Sequence, residues 1–80
     1  MDNRFFDLKA IGGRIRGLRS GNGLSRDSFA KEIGSFSVAS VRRWESGRSA
    51  PSLAAVVAIC NRFDVSADEI VLGFSSRETH

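Results

Sequence analysis

Five short apolar-periodic runs, each opened by a Ser or an Asp, divide this chain, and that punctuation leaves room for little except short helices. Leu8, Ile11, Ile15 and Leu18 share one face of a first helix over about Leu8 to Ser20, with Asp7 able to cap its start. Gly12, Gly13 and Gly17 each lower its helix propensity by about 1 kcal/mol relative to Ala. The helix must therefore lean on tertiary packing, and its small residues would let a neighbour approach. Ser20-Gly21-Asn22-Gly23 ends it. A second helix starts at Ser25, with Asp27 near the positive end of its dipole and Leu24, Phe29, Ala30 and Ile33 as its apolar face. Gly34 ends it. Ser37 caps a third helix, which turns Val41 and Trp44 inward and leaves Val38, Ala39, Ser40, Arg42 and Arg43 outside.

The only proline, Pro51, closes the next loop. A fourth helix, capped by Ser52, runs to about Phe63. Its apolar face of Leu53, Val56, Val57, Ile59, Cys60 and Phe63 is broad enough to suggest burial on more than one side. Asp64-Val65 is a short connection. Ser66-Ala67-Asp68-Glu69 reads as a capping box, opening a fifth helix with Ile70, Val71 and Leu72 that Gly73 stops. Strand-like alternation, internal repeats and low-complexity stretches are absent. The expectation is an all-α, five-helix domain over residues 8–73 with a polar tail over 74–80.

Composition narrows what such a domain can do. Eighty residues support one small core, and 41% apolar residues are enough to build it. They leave little surface for a deep cavity, so no small-molecule ligand and no separate sensor domain are expected. The single cysteine, Cys60, cannot form an internal disulfide, which favours a reducing cytoplasm. Cys60 itself reads as a small core residue, with a redox sensor as the sharper alternative. The N-terminal residues lack the pattern of a signal peptide. The longest apolar stretch, Leu53 to Cys60, is eight residues, far short of a membrane span.

The only histidine is His80, the last residue, and there is no tyrosine. Neither a positioned acid/base nor a Cys/His cluster is visible, so no catalytic residue, metal or cofactor is expected. The glycines between Gly12 and Gly23 do not make a phosphate loop. No strand precedes them, and Leu18 rather than Lys follows Gly17.

The charge is unevenly placed. The chain is formally +3, with 10 Arg and only 2 Lys on the basic side. Residues 9–48 hold nine basic residues against Asp27, Glu32 and Glu45, so that segment alone is +6. A basic half on a near-neutral support fits a polyanion partner; it also fits a solvated basic face.

Two short helices joined by a tight glycine turn are the elements of a helix-turn-helix. Its second helix needs a small or polar outward face to enter a major groove about 12 Å wide. Leu24-Ser25, Phe29-Ala30 and Ile33-Gly34, then Val41, Trp44-Glu45, Gly47 and Pro51-Ser52-Leu53, resemble the lambda-repressor-like, Cro/repressor-type (XRE) helix-turn-helix family. Ile11-Gly12, Ile15 and Leu18-Arg19 upstream, and Phe63, Val65-Ser66 and Glu69-Ile70 downstream, extend the resemblance over roughly residues 8–73. The turn Gly34-Ser35-Phe36-Ser37 is one residue longer than the family's usual spacing, and Phe36 fills its apolar position. Arg26 stands where the family often has Gln, and Cys60 where a small Ala is common.

The resemblance implies a recognition helix over residues 37–45. Ser37, Val38, Ala39 and Ser40 would lie at its groove-facing end, flanked by Arg42 and Arg43, either of which can read guanine or hold phosphate. Ser25 and Arg26 at the start of the second helix, and Gly47 and Arg48 after the third, would approach backbone phosphate. A plain cap and a plain turn are the simpler readings of those two places. Arg19 would pair with Glu45 as a structural tie. Val65, Ile70, Val71, Leu72 and Phe74 form a candidate homodimer surface, unless they only close the core. The expected function is a sequence-specific, double-stranded DNA-binding transcriptional regulator, a repressor acting from the cytoplasm as a dimer. The alternatives are an antitoxin, or an interaction module for a regulatory protein partner with DNA binding secondary.

Overall fold

The structure, a computed structural model, describes residues 7–34 and 36–73. Within them the chain forms α1 (Leu8–Gly21), α2 (Arg26–Glu32), α3 (Val38–Glu45), α4 (Leu53–Phe63) and α5 (Ala67–Val71), with no strand. Each helix begins where a short polar side chain can satisfy its first free N–H groups. Asp7 Oδ1 accepts from Lys9 N and Ala10 N, both at 3.1 Å. Ser25, Ser37 and Ser52 accept from Ser28, Ser40 and Ala55. At α5 the capping box is reciprocal: Ser66 Oγ accepts from Glu69 N, and Ser66 N donates to Glu69 Oε2 at 2.6 Å. Helix ends differ slightly from the sequence reading. α1 continues one residue to Gly21, and α2 stops at Glu32 because Ile33 is already its cap.

One core joins the helices. Ile11 and Ile15 of α1, Phe29 and Ala30 of α2 with Ile33, Val41 and Trp44 of α3, Ala55 and Ile59 of α4, and Ile70 of α5 are all buried in it. Phe29 stacks on Phe63 with ring centroids 5.4 Å apart, joining α2 to α4. Phe36 meets Trp44 edge-on at 5.7 Å, so the turn between α2 and α3 is anchored by an aromatic pair.

α1 and α3 meet most closely. A Cβ at Gly12 would lie 2.1 Å from the Trp44 carbonyl oxygen and 2.9 Å from that of Glu45, so only glycine allows this crossing. Gly13 and Gly17 have nothing within 4 Å of such a Cβ; the small-residue reading of α1 holds at one of the three glycines. A second tie lies beside the crossing. Arg19 donates to Glu45 through Nε at 2.6 Å and Nη2 at 3.2 Å, and its Nη1 donates to the Leu24 carbonyl at 2.8 Å. The Glu45 side chain is only 3% exposed.

The distal helices carry two findings that sequence periodicity did not give. The broad apolar face expected of α4 is not all buried. Ala55, Val56 and Ile59 point inward, but Leu53 is 81% and Val57 49% exposed. They sit one turn apart, on the side of α4 away from Ala55 and Ile59. α5 is held by an arginine: Arg14 donates to the carbonyls of Ile70 at 2.7 Å and Val71 at 2.9 Å, serving the negative end of a five-residue helix. Cys60 is half-buried against the core. Burial, then the Glu69 carboxylate, push its thiol up, which disfavours the reactive thiolate.

Gly12→Ala should destabilise the fold by about 1–3 kcal/mol, because the overlap at Trp44 outweighs the helix-propensity gain. Gly13→Ala and Gly17→Ala should stabilise by about 0.5–1 kcal/mol, since their Cβ atoms meet nothing. Urea unfolding midpoints test this, and a common direction for all three would count against the account of the crossing. Glu45→Ala should cost about 3 kcal/mol by stranding partly buried guanidinium groups, and so lower the melting temperature by about 12–24 °C. An unchanged melting curve would show that the tie contributes nothing to stability.

Candidate nucleic-acid interface

α3 presents a short, small-to-basic outer surface. Ala39, Arg42 and Arg43 are exposed, while Val38 and Ser40 are half-buried beside them. Ser37 Oγ is committed to the cap and also donates to Ser40 Oγ at 2.9 Å. Ser40 Oγ in turn accepts from Arg43 Nη2 at 3.1 Å, which lays the Arg43 side chain along the helix. Arg42 and Arg48 have no side-chain hydrogen bond or ion pair among the described residues and extend into solvent. Trp44 is in the core, where stacking on a base is impossible.

At the C-terminal end of this surface lies an open recess of about 440 Å³, lined by Arg26, Arg42, Arg43, Ser46 and Arg48. Three segments build it: the first residue of α2, the last turn of α3 and the loop that follows. Gly47 shapes that loop. Its φ is +76°, and a Cβ there would lie 2.8 Å from Lys9 Cγ, so the chain turns tightly against the start of α1. Four guanidinium groups around one depression repel each other unless an anion joins them, and their planar forks match phosphate oxygens.

The expected site residues thus fall into groups. Ser25 is an exposed cap that sits next to Arg26. Arg26, Arg42, Arg43 and Arg48 are brought together, with Val38, Ala39 and Ser40 on the adjoining face of α3. Gly47 contributes backbone shape rather than a contact of its own. Of the candidate dimer residues, Ile70 lies in the core, and Val65 and Val71 are half-buried against it. Leu72 is 41% exposed. Phe74 and the tail over 74–80 lie outside the described residues.

Sequence reading missed two features here. Ser46 lines the recess, and its position between Arg43 and Arg48 at the end of α3 was the available signal. Arg26 donates through Nε to Glu45 Oε1 at 3.1 Å, so the carboxylate expected to hold Arg19 alone holds two arginines. Nothing in the spacing of residues 26 and 45 marks that contact.

The comparisons with known proteins agree with this geometry. The helix-turn-helix family model HTH_3 matches residues 15–70. Among solved structures, the restriction-modification controller protein C.AhdI from Aeromonas hydrophila is similar, with a TM-score of 0.72 and 30% identity, covering 80% of this chain and 96% of that one. An HTH_3 family transcriptional regulator from Vibrio cholerae matches at a TM-score of 0.70 and 27% identity, over 84% of this chain and 37% of that one. The apo form of the competence regulator ComR from Streptococcus vestibularis matches at 0.71 and 27%, over 91% of this chain and 24% of that one. This chain therefore spans nearly the whole of the controller protein but only a minor part of the two longer regulators. No curated protein matches it. With the family model matching residues 15–70, and a controller protein matching at 30% identity over 96% of its own chain, this chain belongs to the HTH_3 helix-turn-helix family.

Proposed function

We propose that this chain is a sequence-specific, double-stranded DNA-binding transcriptional regulator, and that it represses by occupying an operator with α3 in the major groove. The observation that carries this reading is the continuity of two surfaces. The outer face of α3, with Ala39 and Arg42 exposed, runs directly into the four-arginine recess. The first is small enough to enter a groove and chemically able to read base edges, Ala and Val against thymine methyls and Arg against guanine. The second is suited to the phosphate backbone beside that groove. The names of the neighbours, a restriction-modification controller and transcriptional regulators, support the same reading.

A single copy offers only one short reading helix, so useful specificity calls for two copies on half-sites about 34 Å apart. With Ile70 taken up by the core, the candidate self-association surface is exposed Leu72 with half-buried Val65 and Val71, and Phe74, which lies outside the described residues. Leu72→Glu should shift sedimentation toward the monomer and weaken operator binding without lowering the melting temperature. Unchanged sedimentation would remove this surface from the proposal. The domain boundaries at 8–73, and action in the cytoplasm, belong to the same reading. Among the described residues, no helix is long and apolar enough to cross a membrane.

A footprint on the promoter nearest the chain's own gene is the direct test. Protection of a defined site is expected; uniform, sequence-blind protection would overturn the regulator reading. Arg42→Ala and Val38→Ala should change base preference by about 1–3 kcal/mol at single positions. Arg48→Ala should weaken all sequences alike and reduce the salt slope by about one. If all three variants behave identically, the division into base-reading and phosphate-holding residues is wrong.

A further inference from the structure

We infer that Glu45, a carboxylate next to a polyanion-binding face, is a positioning residue that holds Arg26 ready to bind one backbone phosphate in the recess. The inference rests on the DNA-binding reading above and goes beyond it by giving an acid, rather than a base, a part in binding.

Three observations lead there. First, Glu45 is itself immobile. Arg19 grips both of its oxygens and is fixed in turn by the Leu24 carbonyl, and the carboxylate is almost wholly buried. Second, Arg26 meets Glu45 through Nε alone. No other hydrogen bond of its guanidinium is formed among the described residues, so the terminal Nη edge is left for another partner. Third, the Arg26 side chain is 38% exposed and lines the recess beside Arg42, Arg43 and Arg48. The chain of contacts therefore runs from α1 through the last residue of α3 to the first residue of α2. It ends in a guanidinium with a buried anchor at one side and a free fork at its end.

The chemistry of arginine makes this arrangement useful. A free arginine must lose rotamer freedom when it grips a phosphate, and that loss weakens binding. An arginine already tethered at Nε loses less. The planar group can donate one N–H to a carboxylate and offer its two Nη atoms to a phosphate in the same plane, which an ammonium on a flexible stem cannot do. Glu45 also sits at the end of the reading helix. The same contact therefore fixes the place of the bound phosphate relative to Arg42 and Arg43.

The two possible roles of Glu45 predict opposite signs. If its role is only structural, replacing it by the neutral Gln removes a negative charge near DNA and should leave binding unchanged or make it tighter. If it positions Arg26, binding should weaken although the protein has become more positive.

The test is fluorescence anisotropy of a labelled, mixed-sequence DNA duplex across a salt series. Circular dichroism verifies that each variant is folded at the temperature used. Arg26→Ala should bind about tenfold more weakly, with a salt slope lower by about one. Arg26→Lys keeps the charge but should lose most of the same affinity, and it serves as the deciding variant if Glu45→Gln does not fold. Glu45→Gln should bind about three- to tenfold more weakly, and that loss should vanish in the Arg26→Ala background. Wild-type levels of binding by Arg26→Lys, or equal or tighter binding by Glu45→Gln, would overturn the positioning role while leaving the DNA-binding reading intact. Failure of the wild-type chain to bind the duplex in a salt-dependent way would overturn both.

Discussion

The placement of α3 depends on a single crossing, where its last turn lies against α1 at Gly12. The Trp44 carbonyl comes so close to the Gly12 α-carbon that no side chain could stand between them. On one side of that contact the Trp44 ring enters the core. On the other, Glu45 is gripped by Arg19 from α1. A hydrophobic anchor, a steric stop and an ion pair thus act on adjacent residues and set both the depth and the rotation of α3. Loss of any one would leave α3 free to shift against α1, and with it the exposed Ala39, Arg42 and Arg43.

Burying an acid in this place is costly unless it is fully partnered. Here three N–H groups from two arginines reach its two oxygens, and no buried polar side-chain atom of the described residues is left without a partner. A hydrophobic pair could have joined α1 to α3 with less desolvation. It could not have reached across to α2 or oriented a cation at the surface. The polar solution costs stability in principle and gains a fixed geometry among three helices, two of which form the helix-turn-helix.

Much of this was legible in the sequence, and what was legible is local. Asp7, Ser25, Ser37, Ser52 and Ser66 mark all five helix starts, because capping needs only a short polar side chain and the next three residues. Trp44 and Val41 sit in the core as their spacing predicts, since the helical period fixes which residues share a face. The Arg19–Glu45 tie followed from family resemblance and not from spacing. The Arg26–Glu45 and Arg14–α5 contacts were hidden: each depends on where separate helices come to rest, and no periodic signal encodes that. α4 failed for a related reason. Leu53 and Val57 are as apolar as Val56 and Ile59, so composition could not tell which side of the helix would find a neighbour.

The distribution of arginine sharpens what the charge count means. Residues 9–48 carry +6, but their cations are not equally available. Arg19 is wholly committed to Glu45 and Leu24, and Arg14 to the last carbonyls of α5. Lys31 is paired with Asp27 on the surface of α2. Arg26 is half committed. Among the described residues of that segment, the cations that face solvent without an acidic partner are Lys9 and Arg16 on α1 and Arg42, Arg43 and Arg48 on α3 and the loop after it, and the last three line one recess together with the outer edge of Arg26. Lysine would supply the same charge, but its ammonium lacks the planar fork that can hold a carboxylate and a second anion in one plane. The preference for arginine is therefore part of the architecture. It lets one residue type tie α1 to α3, serve the end of α5 and line a cationic recess.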